Sequence, residues 1–192
     1  DRARLVDLLA ERKVAIGPAA RLADARAKVS ELSGFALNDI DTTIAGVNIL
    51  RSAKRQALDQ ALETAQTGSG VLEISGAGGS GKSAFLKIAA EAQSKQAPTL
   101  VLAPDRIQCG GWSARQHRLG LDVSADRFLN DLASDGGAVI YMDGLDRFRS
   151  EAERKTVSDL ILTTTKILGL TLVFTARLGW REARPFSDDV ML

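Results

Sequence analysis

The segment Gly76-Ala-Gly-Gly-Ser-Gly-Lys-Ser83 puts four glycines, two serines and one lysine into eight residues. It satisfies the pattern G-x-x-x-x-G-K-[ST] at each fixed position. Main-chain N–H groups that turn inward to ring an anion need angles and a close approach that side chains obstruct. That requirement accounts for Gly76, Gly78, Gly79 and Gly81, with Ala77 and Ser80 completing the cradle. Lys82 is placed to reach the β- and γ-phosphates of a nucleoside triphosphate, and the Ser83 hydroxyl to ligate Mg2+. The bland alternative is a glycine-rich turn that happens to match. The flanks favour the cradle: an apolar strand pattern over Val71–Ser75 precedes it and a helical pattern follows from Lys82. The positive end of such a helix faces the same phosphate.

Two further segments end in residues that can act on a phosphate. Ala138-Val-Ile-Tyr-Met-Asp143-Gly-Leu-Asp146 is an apolar strand delivering a carboxylate at its C-terminal end, the form of a Walker B element. Asp143 is the candidate magnesium acid, acting through water because this ion keeps much of its hydration shell. Gly144 stands where many ATPases carry a glutamate, so Asp146 is the next carboxylate able to orient an attacking water. Asp146 has two ordinary alternatives: capping the following helix, or pairing with Arg147 or Arg149. Leu170-Thr-Leu-Val-Phe-Thr175-Ala-Arg177 is a third apolar strand with polar residues at its exit. Thr175 is a candidate for orienting water. Arg177 is a candidate for sensing the γ-phosphate or neutralising transition-state charge, against the ordinary alternative of pairing with a surface acid.

The elements that must position these residues read as an α/β domain. Strand patterns at Val71–Ser75, Thr99–Ala103, Ala138–Met142 and Thr171–Thr175 alternate with helical patterns at Lys82–Lys95, Ala125–Ser134 and Glu151–Leu168. That alternation predicts a mostly parallel sheet covered on both faces, and the apolar strands agree with burial on both sides. Residues 1 to about 66 read as helical. A first helix carries Leu5, Leu8, Leu9 and Val14. A second opens near Pro18, carries Leu22, Ala25, Val29 and Leu32, and is expected to end at Ser33-Gly34. A third covers Ser52–Ala65. Two units follow from this reading: a helical segment over 1–47 and a nucleotide-binding domain over 48–192. The chain opens inside a helical pattern without a methionine and closes on the apolar triplet Val190-Met191-Leu192, which suggests a piece of a longer protein, truncated at its C-terminus.

Composition narrows the classes. At 45% hydrophobic and 26% charged, the chain can bury a core and keep a charged surface. A net charge of +1 gives no electrostatic footprint for direct nucleic-acid binding. One cysteine, Cys109, makes no internal disulfide, and one histidine beside it makes a zinc site improbable. An intracellular, cytoplasmic setting is expected, and no apolar run approaches the roughly 20 residues of a membrane span. The stretch Pro104–Val123, with Cys109, Trp112, His117, Arg106, Arg115 and Arg118, reads as a surface insertion. Trp112 and Trp180 read as packing anchors.

Taken together, GAGGSGKS, a strand ending in DGLD and a strand ending in T-x-R resemble the STAND class of P-loop ATPases, which includes the NACHT and NB-ARC groups. The resemblance runs from about Ile49 to Thr175 and its exit. It implies ATP and ADP with Mg2+ as the bound species, and a sheet whose strands run in the order 2-3-4-1. It places Ile49 and Leu50 near the adenine. It implies a switch that exchanges ADP for ATP, further domains of the same chain, and self-association on activation. Arg147 stands where that class frequently has a glutamate, which implies slow hydrolysis. Two other functions share the phosphate loop: a remodelling ATPase of the AAA+ type, and a small-molecule kinase.

Overall fold

The computed structural model describes residues 19–44, 47–48, 52–65, 70–103, 110–112, 114, 117, 124–134 and 136–179. Helix α1 (Ala19–Asn38) is followed by a small antiparallel pair, β1 (Thr43–Ile44) and β2 (Val47–Asn48), and by helix α2 (Ser52–Ala65). From there strands and helices alternate. They are β3 (Gly70–Gly76), α3 (Lys82–Gln93), β4 (Thr99–Leu102), α4 (Ala125–Ala133), β5 (Ala138–Met142), α5 (Glu151–Thr164) and β6 (Leu170–Arg177). The main sheet has the order β3-β6-β5-β4, and all three of its pairings are parallel. Counting only these four strands along the chain, the order is 1-4-3-2, the arrangement 2-3-4-1 read from the other edge. This is an α/β fold of P-loop NTPase type with a helical N-terminal region.

Side-chain alternation explains why the sheet is covered twice. Leu100 and Leu102, Ile140 and Met142, and Leu172 and Phe174 face one cluster with Phe128, Leu129, Leu160 and Ile161 of α4 and α5. Val101, Val139, Tyr141 and Val173 face the other, with Leu58 and Leu62 of α2 and Phe85, Leu86, Ala89 and Ala90 of α3. Successive strand residues point to opposite faces, so a strand apolar at every position must have helices on both sides. The small Ala89 and Ala90, both fully buried, bring α3 close to the sheet. Helix α5 opens with a reciprocal cap: the Glu153 amide donates to Ser150 Oγ at 3.1 Å, and the Ser150 amide donates to Glu153 Oε2 at 3.2 Å.

Three expectations are corrected. Helix α1 does not end at Ser33-Gly34 but continues to Asn38. Ser33 is buried against the edge strand, where its Oγ accepts the Val101 amide at 2.9 Å. Packing on β4 thus carries the helix past residues that would break an isolated one. Nor is the stretch before residue 66 helical throughout, since the β1–β2 pair interrupts it. Finally, β6 runs to Arg177, two residues past the expected strand end at Thr175.

The expected insertion is described only in part. Trp112 is buried and stacks on Phe128 with ring centroids 5.8 Å apart, so it is a packing anchor. The Gly111 and Trp112 amides donate to Thr156 Oγ1 and Asp159 Oδ2 of α5, at 2.9 and 3.0 Å. Cys109, Arg106, Arg115, Arg118 and Trp180 lie outside the described residues, as do the first helix expected around Leu5–Val14 and the pair Ile49 and Leu50. Among the described residues no helix is long and apolar enough to cross a membrane.

Candidate phosphate-binding site

Parallel strands all leave the sheet at the same edge, and three of them carry the candidate residues. Register puts Ile74 of β3 level with Thr175 of β6, and Met142 of β5 level with Phe174. Asp143 therefore sits at the level of Thr175, two strands across from the root of the glycine-rich loop. Two strand spacings amount to about 10 Å. Lys82 and Asp143 lie at the same end of the fold.

The loop closes tightly after β3. Ser80 donates its amide to the Ala77 carbonyl at 3.3 Å, and a Cβ at Gly76 would lie 2.8 Å from Ser80 Oγ. Gly81, at φ 81°, turns the chain into α3 through a left-handed conformation that a side chain disfavours. No side chain caps α3, so its first-turn N–H groups are left to the loop side. The Lys82 ammonium folds across the loop and donates to the carbonyls of Gly76 and Ala77, each at 2.9 Å. Ser83 occupies the second position of α3 and is half-buried.

A shallow cleft of about 110 Å³ opens beside the loop, lined by Ile74, Ser75, Gly76, Ser80, Gly81, Lys82, Phe85 and Lys54. Lys54 belongs to the first turn of α2 and was not singled out by sequence. No motif marks it; only the packing of α2 on α3 brings it here.

The acidic side of the site is a connected network. Asp143 is 4% exposed. Its Oδ1 accepts the Thr175 hydroxyl at 2.7 Å, and Thr175 Oγ1 in turn accepts the Gly144 amide at 2.6 Å. Thr175 thus holds the carboxylate and the turn behind it in one geometry. Asp143 Oδ2 lies 3.5 Å from Arg147 Nη1. Gly144 adopts φ 63° and ψ 56°, and a Cβ there would come within 2.6 Å of Arg147 Cδ. A glutamate directly after Asp143 would meet both obstacles, so the turn delivers its next carboxylate at Asp146. Asp146 Oδ2 lies 3.3 Å from Arg177 Nε, the two arriving from adjacent strand ends. Sequence reasoning named each of them separately, and gave Asp146 the partners Arg147 or Arg149. The structure pairs it with Arg177, and Arg147 with Asp143.

No protein-family model matches the chain, and no curated protein is significantly similar to it. Among solved structures, it is similar to a chain of Drosophila ORC bound to DNA, at 16% identity and a TM-score of 0.45. That match covers 79% of this chain and 44% of the other. It is also similar to C. elegans PCH-2, at 13% identity and a TM-score of 0.36, covering 85% and 39%. The chain thus spans less than half the length of either. Likeness at this level extends to neither activity nor partners.

Proposed function

We propose that this domain binds ATP with Mg2+ in the glycine-rich loop and hydrolyses it. The observation that carries the reading is the placement of the loop, Asp143, Asp146, Thr175 and Arg177 at one edge of one parallel sheet. Gly76 to Ser83 would hold the phosphates, with Lys82 exchanging its two loop carbonyls for phosphate oxygens. An added Cβ at Gly78 would meet nothing within 4 Å. Nothing in the folded chain itself requires glycine there, which fits a surface kept clear for a ligand.

The donor chemistry also fits magnesium. Ser83 and Asp143 offer hard oxygens, and this ion usually takes one or two protein ligands together with phosphates and water. Bound there, it would neutralise charge on the β- and γ-phosphates. Asp146 and Arg177 then act on the terminal phosphate once their mutual pair opens. Titration of Mg-ATP against the wild type and Lys82→Ala tests the reading, which fails if the variant binds with wild-type affinity.

The finer role has two forms that use the same residues. A remodelling ATPase of AAA+ type is supported at least as well as a slow STAND-like switch. The specific observation favouring slow turnover is that Asp146 is held by Arg177 and that no glutamate follows Asp143. Turnover on the order of one per second or faster, ordinary for an enzyme, selects the remodelling form. ADP retained through purification selects the switch. Self-association and contact with further domains belong to either form.

A further inference from the structure

We propose that Lys54 is a second cation of this site, binding the polyphosphate chain from the α2 side of the cleft while Lys82 binds it from the loop. The inference rests on the nucleotide reading above and adds a residue that no motif supplies.

Three observations carry it. First, among the described residues the cleft lining contains two lysines and no carboxylate. Two ammonium groups bordering one small concavity repel each other unless an anion lies between them, so the charge pattern selects a ligand with more than one negative charge. Second, the two cations differ in what they already hold. Lys82 donates to two loop carbonyls. Lys54 has no ion pair or hydrogen bond among the described residues, and its side chain is exposed. Its charge is therefore available to a ligand.

Third, the helix that carries Lys54 is held in place. Leu58 and Leu62 are buried against the sheet. The neighbouring Arg55 donates from Nη1 to the Ile88 carbonyl of α3 at 3.0 Å and from Nε to Asp59 at 2.8 Å. Consecutive helical residues diverge by about 100°. Arg55 is thereby fastened to the helix that follows the loop while Lys54 turns to the loop itself. A long flexible stem on a fixed first turn delivers a point charge with reach, which suits a phosphate chain.

The test is calorimetric binding of Mg-ATP, inorganic tripolyphosphate and adenosine to the full chain, with Lys54→Ala, Lys54→Arg and Lys82→Ala beside the wild type. Circular dichroism checks that each variant is folded; Lys54 is exposed, so its removal leaves no buried gap. Lys54→Ala is expected to weaken Mg-ATP and tripolyphosphate about tenfold, the scale of one charge-assisted contact. Lys54→Arg should stay within about threefold of wild type, because it keeps the charge. Adenosine binding should not change. Lys54→Ala binding tripolyphosphate as the wild type does, while Lys82→Ala loses it, overturns the second cation and leaves the nucleotide reading standing. Wild-type protein that binds neither phosphate ligand overturns both.

Discussion

Thr175 is the residue on which the acidic half of the site turns. Its hydroxyl donates to Asp143 Oδ1 and accepts from the Gly144 amide, and all three groups are buried. Thr175→Val keeps the shape but leaves a buried amide unpaired and a buried carboxylate short of a donor. The expected cost is about 1–3 kcal/mol, read as a lower urea midpoint with an unchanged slope. Weaker dependence of nucleotide binding on Mg2+ should accompany it. Gly144 makes a separate prediction. Its left-handed backbone and the nearby Arg147 stem oppose any side chain. Gly144→Ala should cost about 1–2 kcal/mol from conformation alone, measured in the same denaturation experiment. The double variant Gly144→Ala, Arg147→Ala should recover any steric part and retain the conformational part. At this scale the sequence named Asp143, Asp146, Thr175 and Arg177 one by one. It did not reveal that Asp146 and Arg177 are partners, because that contact joins strand ends that only strand order makes adjacent.

At the scale of elements, the sheet was the most legible part. Strands apolar at successive positions, each followed by a helical pattern, leave few arrangements other than a parallel sheet with two covered faces. The N-terminal half was less so. Ser33-Gly34 looks like a helix end because serine and glycine are poor helix residues, yet α1 continues to Asn38. The edge strand β4 needs its outward amide satisfied, and Ser33 Oγ does this for Val101. Arg26 adds a largely buried ion pair from α1 to Asp131 of α4 at 2.6 Å, and a hydrogen bond to the Asp131 carbonyl. Ser33→Ala is therefore expected to destabilise by about 1–3 kcal/mol, because the Val101 N–H is left buried without a partner. Asp131→Ala should cost less than Ser33→Ala, because Arg26 stays partly exposed to water and keeps its hydrogen bond to the residue-131 carbonyl. Hydrogen exchange at the Val101 amide would separate a local opening of the β4 edge from a global loss.

For the whole molecule, the chain's one tyrosine reports on packing. Tyr141 lies on the inner strand β5 with no exposed surface, and its hydroxyl has no hydrogen-bond partner among the described residues. Burial pushes its pKa well above the ordinary value of 10.0; the Arg55 charge opposes that shift and the Asp59 charge adds to it. A raised folded pKa means that the unfolded chain loses this proton first. Stability is thus intact below pH 10 and falls as pH rises above it, with a limiting slope of about 1.4 kcal/mol per pH unit. Tyr141→Phe should remove that part of the alkaline fall. At neutral pH the same change should be neutral or mildly stabilising, since it deletes a buried, unpaired hydroxyl. Thermal melts of both proteins from pH 8 to 11 would show it, and a fall of equal steepness in the variant would refute the assignment.

The sequence by itself determined the local chemistry: a glycine-rich loop between strand and helix, strands that carry Asp143 and Thr175, and an apolar alternation that demands two helical layers. These are legible because backbone freedom and side-chain period act over a few residues. Only the tertiary structure decided which charges meet. It set Asp146 against Arg177 and Arg147 against Asp143, tied Thr175 to both sides of the Asp143 turn, and brought Lys54 of α2 to the mouth of the loop. Those juxtapositions depend on strand order and on how helices seat against a common sheet, quantities fixed by the packing of the whole core rather than by any short stretch of chain.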